Sequence, residues 1–344
     1  MILVNSNPVY ISCVFLLTLA GMLSGQTRPE IVWPTPNPAW VERQPLEEYA
    51  QPTISGHVES ALFGCSRTNG TRFHEGIDLK ATQRDRRGEA TDAIFAVMAG
   101  VVRHVNPHPG SSSYGRYIVI EHTELDLPVV TLYAHLASIR PEVSPGLPVR
   151  VGQIIGVMGR SAGGYTIPRE RAHLHFEMGF WMSEDFQSWY DWKEFGSRNT
   201  HGNFNGMNII GFDPLGFYES FLHSEVRTPL EYLNREAPAF TLRIVTQEIP
   251  DFVRRYPVLL DEPVPPSGVS GWEVDFTWYG FPQKWRPLTG DPGDIPASRR
   301  IEVIFYDEET LRANTCRATV RLRSGAPQIG SHTERTLQLL FGFR

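Results

Sequence analysis

The sequence predicts an all-β fold: an antiparallel β-sheet domain with an open groove, followed by a smaller C-terminal β-sandwich. Short apolar runs such as "RYIVIEHT" and "VVTLYAHL" follow one another at hairpin-like spacing, with few long helical patterns between them. A second set of alternating runs, including "VDFTWYGF" and "ATVRLRS", begins after "FDPLGFYESFLHSE" and is joined by proline-rich loops. Both sets are typical of strands in antiparallel sheets.

The 344 residues exceed one typical domain, so we expect more than one folded unit. Trp33 and Trp40 lie in a proline-rich stretch and favour a strap on the protein surface over a free tether. We predict a signal peptide over residues 1–25, a proline-rich linker or strap over 26–54, the first β domain over 55–222 and the C-terminal sandwich over 225–344.

Residues 1–25 contain no Asp, Glu, Lys or Arg, and their apolar centre runs from Val9 to Leu23. With small residues Ser24 and Gly25 at the end, this is typical of a secretory signal peptide. Its first residues lack Lys and Arg, so a retained signal anchor is the alternative, although the apolar stretch is slightly short for a full membrane span. In both cases we expect the rest of the chain to be exported, to the periplasm or cell envelope.

The net charge and the cysteines indicate which partners and which cross-links to expect. The net charge of -6 and the pI near 6.0 give no basic surface, so we do not expect nucleic acid as a partner. Cys65 and Cys316 are the cysteines that follow the predicted signal, and an exported chain permits one disulfide between them. Two free thiols are the alternative.

The stretch "RAHLHFEM" places His173, His175 and Glu177 on one face of an extended strand and three apolar side chains on the other. Buried polar groups need partners, so this row of side chains indicates a binding site. Glu177 is expected either to orient a ligand histidine or to face solvent or a neighbouring strand.

The stretch "FHEGIDLKA" contains a second group of candidate ligands, His74 and Asp78. It is similar to the helical zinc motif H-E-x-x-H, but Gly76 and Ile77 disfavour a helix. We therefore expect Asp78 on a strand and His74 in the loop before it. His135 follows an apolar run in "YAHL" and is a further candidate.

Imidazole nitrogens and a carboxylate oxygen are donors that suit Zn²⁺, and a catalytic zinc site keeps one position open. His74, Asp78 and one histidine of the His173/His175 pair make a set of three ligands. The other histidine and His135 are then left beside the metal, as a site that activates water requires.

In combination, "HEGID", "YAHL" and "HLHFE" resemble the LytM/lysostaphin-type M23 family of zinc metallopeptidases, over roughly residues 55–221. The resemblance implies a zinc endopeptidase that acts on a peptidoglycan cross-bridge or stem peptide. Residue by residue, it implies the zinc ligands His74, Asp78 and His175, with His135 and His173 as the catalytic pair.

The chain departs from the family pattern at two places. The stretch "GRSAGGYTIPRERAHLH" inserts several residues before the histidine pair, including Arg169, Glu170 and Arg171, and we expect this insertion at the substrate groove. The second departure is the long segment between Met178 and Phe212, which we expect to form another wall of the groove.

Two other functions fit parts of the sequence. "GRSAG" matches the G-x-S-x-G pattern of serine hydrolases, but Gly164 and Pro168 follow where that motif needs a helix, so a β-turn lining the groove is preferred. The chain can also be a non-catalytic envelope protein that binds a partner through the same fold. Such relatives typically lose metal ligands, and none is lost here.

Overall fold

The computed structural model describes residues 28–290, 300–323 and 325–344. The predicted signal peptide or anchor lies outside the described residues. Among the helices within these ranges, none has the length and apolar character needed to cross a bilayer.

The described residues form mainly β-strands with few helices, which confirms the predicted all-β class. The strands are β1 (Gly64–Arg67), β2 (Arg72–His74), β3 (Ile77–Lys80), β4 (Ala93–Phe95), β5 (Gly100–Asn106), β6 (Tyr117–His122), β7 (Val129–Ala134), β8 (Ser138–Ile139), β9 (Pro148–Val149), β10 (Ile154–Val157), β11 (His173–Trp181), β12 (Ile209–Phe212), β13 (Phe240–Val245), β14 (Gly271–Phe276), β15 (Pro282–Leu288), β16 (Ile301–Tyr306), β17 (Val320–Arg323) and β18 (Ala326–Ile329). The α-helices are α1 (Phe186–Trp192), α2 (Pro214–Leu222), α3 (Pro229–Leu233), α4 (Asp251–Arg255), α5 (Glu308–Ala313) and α6 (Ser331–Phe341).

A seven-stranded antiparallel sheet carries the candidate site, with the strand order β12-β11-β7-β6-β5-β9 and β3 beside β11. The long strand β11 pairs along one edge with β3 through its first half and with β12 through its second half. Its other edge pairs with β7. The alternation of side chains along β11 buries Phe176 and Phe180 in the core and turns the histidines to the opposite face.

The proline-rich stretch before the first strand packs on the fold and supplies hydrogen bonds to β3. Trp33 is 7% exposed and stacks on Trp40 with ring centroids 4.5 Å apart. Lys80 N–H donates to Tyr49 O at 2.8 Å, and Gln51 N–H donates to the backbone carbonyl of residue 78 at 2.9 Å. The backbone of β3 is therefore held on one side by β11 and on the other by residues 49–51.

The C-terminal region contains the four-stranded antiparallel sheet β15-β14-β13-β16 and the hairpin β17-β18. The last apolar stretch of the chain, "TLQLLFGF", also has a short apolar run, but most of it lies in helix α6. The helix buries Leu337, Leu340 and Phe341 on one side, and the Phe341 ring lies 5.9 Å from that of Trp285. A short apolar run fits a buried strand and one face of a helix equally well, so its pattern alone did not distinguish them.

Most buried apolar side chains form a core shared by the large sheet and the C-terminal region, and a smaller cluster around Tyr117 is separate from it. The Phe180 ring of β11 stacks on Phe281 with centroids 4.8 Å apart. Cys65 and Cys316, which are 251 residues apart in sequence, form a disulfide. In the chain-entropy model, closing so long a loop stabilises the folded state by about 5 kcal/mol.

Candidate metal centre

A tight turn between β2 and β3 brings His74 and Asp78 close together. His74 ends β2, Asp78 is the second residue of β3, and the turn between them contains Gly76. A Cβ atom at Gly76 would lie 2.1 Å from Phe176 O, so only glycine allows β11 to approach this closely. The helical reading of this stretch is thereby excluded, and His74 lies on a strand rather than in a loop.

The register of β3 against β11 adds the third candidate ligand, because His175 lies directly opposite Asp78. His175 Nδ1 is 3.0 Å from Asp78 Oδ1 and 3.0 Å from His74 Nε2, and His74 Nε2 is 3.2 Å from Asp78 Oδ1. Tetrahedral zinc with ligands at 2.0–2.1 Å separates its donor atoms by about 3.3 Å. The donor types and their spacing therefore fit a zinc ion.

Hydrogen bonds on the far side of each ring orient the two candidate ligand histidines. His74 Nδ1 lies 2.9 Å from Leu62 O, and His175 Nε2 lies 2.7 Å from Glu177 Oε1. Tyr114 OH donates to the same Glu177 oxygen at 2.7 Å. When these nitrogens carry the proton, the opposite nitrogen of each ring faces the cluster, as metal binding requires.

The other two candidate site histidines, His173 and His135, lie beside the cluster, and the Nδ1 atom of each also has an oxygen acceptor outside it. His173 Nδ1 is 2.7 Å from Arg171 O, and His135 Nδ1 is 2.9 Å from Ser161 O. The two rings lie 4.8 Å apart between centroids, and His173 Nε2 is 3.5 Å from Asp78 Oδ2. With Nδ1 donating to a carbonyl, Nε2 of each ring is left to accept a proton.

His135 has a left-handed backbone conformation, with φ of 60°. A histidine there is conformationally strained, and such strain is commonly found at functional sites. The conformation is fixed by the His135 N–H, which donates to Tyr114 O at 2.9 Å, and by the side-chain contact to Ser161 O. Nothing in the sequence pattern indicated this conformation.

Burial keeps the catalytic candidates neutral. It lowers the pKa of His135 well below its usual range, and the nearby His173 ring lowers it further. Burial also lowers the pKa of His173, although the Asp78 carboxylate opposes this effect. Both imidazoles are therefore uncharged near neutral pH and able to accept a proton.

Two of the candidate ligands, Asp78 and His175, instead favour their charged forms, whereas burial lowers the pKa of His74. Burial alone would raise the pKa of Asp78, but the neighbouring His173 and His74 rings and the Arg67 guanidinium outweigh this effect and hold the pKa well below the usual range. Burial alone would lower the pKa of His175, but hydrogen bonds to two carboxylates raise it to about 9. The cluster thus favours an ionised Asp78 carboxylate next to a positively charged group.

Arg67 contacts the cluster directly and was missed by the sequence analysis. Its Nη2 atom lies 2.5 Å from Asp78 Oδ2 and 2.6 Å from His74 Nε2, and its side chain is 24% exposed. Arg67 lies on β1, outside the quoted motifs, and only the pairing of β1 with β2 brings it to His74.

The cluster lies at the floor of a groove of about 740 Å³. Tyr165 and Arg171 of the predicted insertion line the groove, whereas Arg169 is paired with Glu89 at 3.1 Å. The groove is lined by residues 52–55, 67–69, 72–75, 78, 113, 114, 135, 165–167, 171, 173 and 175.

The long segment after Met178 does not form a groove wall, so that prediction is wrong. Helix α1 within it packs against α6, where Trp189 Nε1 donates to Gln338 Oε1 at 3.1 Å. The segment extends from the end of β11 that is remote from the histidines.

The serine-hydrolase reading is also excluded by the contacts of Ser161. Its hydroxyl donates to Leu136 O at 2.8 Å and accepts from Arg116 N at 2.9 Å. The residues after it form turns and one short 3₁₀ helix, Arg169–Arg171, in place of the α-helix that the motif requires. Ser161 therefore braces backbone, and its carbonyl orients His135.

Comparisons with known proteins find similarity in the part of the chain that contains this cluster. The model of peptidase family M23 matches residues 72–185, a stretch that contains all five predicted site residues. A comparison with curated proteins gave no match. Solved structures with similarity include a zinc containing peptidase from Vibrio cholerae (33% identity, TM-score 0.23, 31% of this chain and 26% of that chain).

Two further solved structures are similar to the same part of the chain. They are a LytM protein from Ruminococcus gnavus (26% identity, TM-score 0.25, 31% of this chain and 39% of that chain) and the catalytic domain of the prophage-encoded M23 protein EnpA from Enterococcus faecalis (27% identity, TM-score 0.27, 38% and 85%). The chain thus spans well under half of the first two relatives. From the family match, we identify residues 72–185 of this chain as a member of peptidase family M23.

Proposed function

We propose that the chain is an exported zinc metallo-endopeptidase that cleaves cross-links or stem peptides of peptidoglycan. His74, Asp78 and His175 are the proposed zinc ligands, and His135 and His173 are the proposed catalytic pair. The family match to residues 72–185 supports the class of enzyme.

One observation carries this proposal: all four histidines have one ring nitrogen within 2.9 Å of an oxygen acceptor outside the cluster. The other nitrogens of His74, His173 and His175 lie 3.0–3.5 Å from the Asp78 carboxylate oxygens, and the His135 ring lies beside that of His173. Buried histidines with a structural role alone would have no need to direct so many ring nitrogens at one carboxylate. This arrangement suits metal binding and proton transfer.

In the proposed mechanism, zinc held by these ligands supplies Lewis-acid activation of water and of the scissile carbonyl. His135 and His173, both neutral because of burial, accept and return a proton at Nε2. The ring that has accepted the proton at Nε2 would then donate a hydrogen bond from that N–H to the developing oxyanion. The carbonyls of Ser161 and Arg171 keep both rings in the required tautomer.

Digestion of purified peptidoglycan, followed by mass analysis of the fragments, tests the proposal and names the bond. Zinc-loaded protein should release peptide fragments, and Asp78→Ala should release none and bind little zinc. Asp126→Ala, at an exposed carboxylate away from the groove, is the matched control and should behave as the wild type. Protein that binds no transition metal and releases no fragment would indicate the non-catalytic envelope protein instead.

Export is a separate part of the proposal, supported by the composition of residues 1–25 and by the disulfide between Cys65 and Cys316. Cell fractionation and N-terminal sequencing of the mature protein test it. Cleavage near residue 25 is the expected result, whereas an intact N-terminus in the membrane fraction would indicate the signal anchor.

A further inference from the structure

We infer that the groove recognises free carboxylates, so that the substrate is an anionic peptide rather than an uncharged glycine cross-bridge. Arg72 and Arg171 line the groove and would bind these carboxylates. The inference rests on the proposed function and defines the chemical class of its substrate.

The first observation is the set of partners that these arginines lack. Within the described residues, the side chains of Arg72 and Arg171 make no ion pair and no hydrogen bond to another side chain or to backbone. Arg169, which belongs to the same insertion as Arg171, is by contrast paired with Glu89 at 3.1 Å. Arg67, the third arginine of the groove lining, is likewise paired, with Asp78 through Nη2. Unpaired guanidinium groups inside a groove indicate an anionic ligand.

The second observation is the charge of the groove lining. Its acidic members are Asp78, which is a proposed zinc ligand, and Glu75, whose Oε1 lies 3.6 Å from Arg317 Nη1 outside the groove. Neither carboxylate is therefore placed to neutralise Arg72 or Arg171. A carboxylate of the substrate would neutralise the positive charges of Arg72 and Arg171.

The positions of the arginines indicate where the carboxylates lie. Arg72 begins β2, and Arg171 ends the insertion that precedes β11. The two come from different parts of the groove lining, so we expect separate carboxylates, on either side of the scissile bond, to be recognised.

Pairs of synthetic peptides test the inference, identical except that each acidic side chain or terminus is a free carboxylate in one and an amide in the other. We expect wild-type protein to cleave the free-acid peptide with a kcat/KM about tenfold or more above that of the amide. Arg72→Gln and Arg171→Gln should each reduce this preference, mainly through KM. Arg150→Gln, at an exposed arginine outside the groove, is the control and should keep it.

Equal cleavage of both peptides, or faster cleavage of an uncharged oligoglycine, would overturn the inference while leaving the peptidase intact. If neither peptide is cleaved, the proposed function fails, and calorimetric binding of the same two peptides decides the inference by itself. Equal affinities for the acid and the amide would then reject it, and tighter binding of the acid that Arg171→Gln abolishes would support it.

Discussion

Arg317 of the C-terminal region lies 3.6 Å from Glu75, the residue that follows the candidate ligand His74. Its guanidinium carbon is also 3.9 Å from the ring centroid of Phe73, the residue before that ligand. One side chain thus holds both neighbours of His74, and the disulfide at Cys316 anchors the segment from which it comes. The C-terminal region is therefore in contact with the strand that carries the proposed metal ligand.

The first prediction concerns this contact. Arg317→Gln removes the ion pair with Glu75 and the cation–π contact with Phe73, so we expect the free energy of unfolding to fall by about 1–3 kcal/mol. Zinc affinity should fall as well, because His74 is less firmly held. Urea denaturation and zinc titration measure the two effects. Arg243→Gln, at an exposed ion pair on the C-terminal sheet, should cost about 1 kcal/mol or less, and an equal loss in both variants would contradict the prediction.

The second prediction separates metal ligand from proton acceptor within the histidine pair. His175→Ala should lose both zinc and activity, because His175 Nδ1 faces the cluster. His173→Ala should keep near-stoichiometric zinc and lose activity by about 100- to 10,000-fold, the usual contribution of general acid–base catalysis. Zinc content and rate are measured side by side at equal zinc supply. If His173→Ala contained no zinc while His175→Ala kept it, the roles assigned to His173 and His175 would have to be exchanged.

The third prediction tests the carboxylate behind His175. Glu177→Gln keeps an oxygen near Nε2 but removes the negative charge, so we expect zinc affinity to fall by about 10- to 100-fold. Competition with a fluorescent chelator measures the affinity. Glu124→Gln, at an exposed position on the loop after β6, is the control. Unchanged zinc affinity in Glu177→Gln would show that the Glu177 carboxylate does not strengthen zinc binding by His175.

The fourth prediction concerns the pH dependence of stability. Burial raises the pKa of Glu236 from 4.5 to about 7, and the nearby Asp213 carboxylate raises it further, whereas the hydrogen bond from Tyr279 OH opposes the shift. Between these two pH values the unfolded chain loses a proton that the folded chain retains, so this group lowers stability as pH rises from 4.5 to 7. Above pH 7 this loss of folding stability is complete and amounts to at most about 3 kcal/mol.

Glu236→Gln should abolish this dependence, since the amide remains neutral and still accepts the hydrogen bond from Tyr279. We therefore expect the variant to gain stability relative to the wild type between pH 4.5 and pH 8, measured by urea denaturation at each pH. A constant difference across that range would mean that Glu236 titrates normally in the folded protein.

The close approach of His74, Asp78 and His175 could be anticipated from the sequence because each belongs to a short motif whose residue types suit metal binding, and the roles assigned to these residues and to His135 and His173 stay predictions. The alternation along β11 also predicted correctly that His173, His175 and Glu177 share a face. Arg67 and Arg317 were not predictable, because their contacts depend on how β1 pairs with β2 and on where the chain returns some 250 residues after the disulfide partner Cys65. Such long-range register leaves no local pattern in a single sequence.

The hydrogen bonds from residues 49–51 to β3 have a consequence for combining part of this chain with other proteins. A fragment limited to residues 72–185 would expose the outer edge of β3, and an unpaired strand edge invites association with other chains. It would also lack Arg67 and the partner of Glu75. Transfer of the candidate site to a new host would therefore require the flanking segments on both sides, since the unit that holds this site in the folded chain is larger than the stretch defined by family similarity.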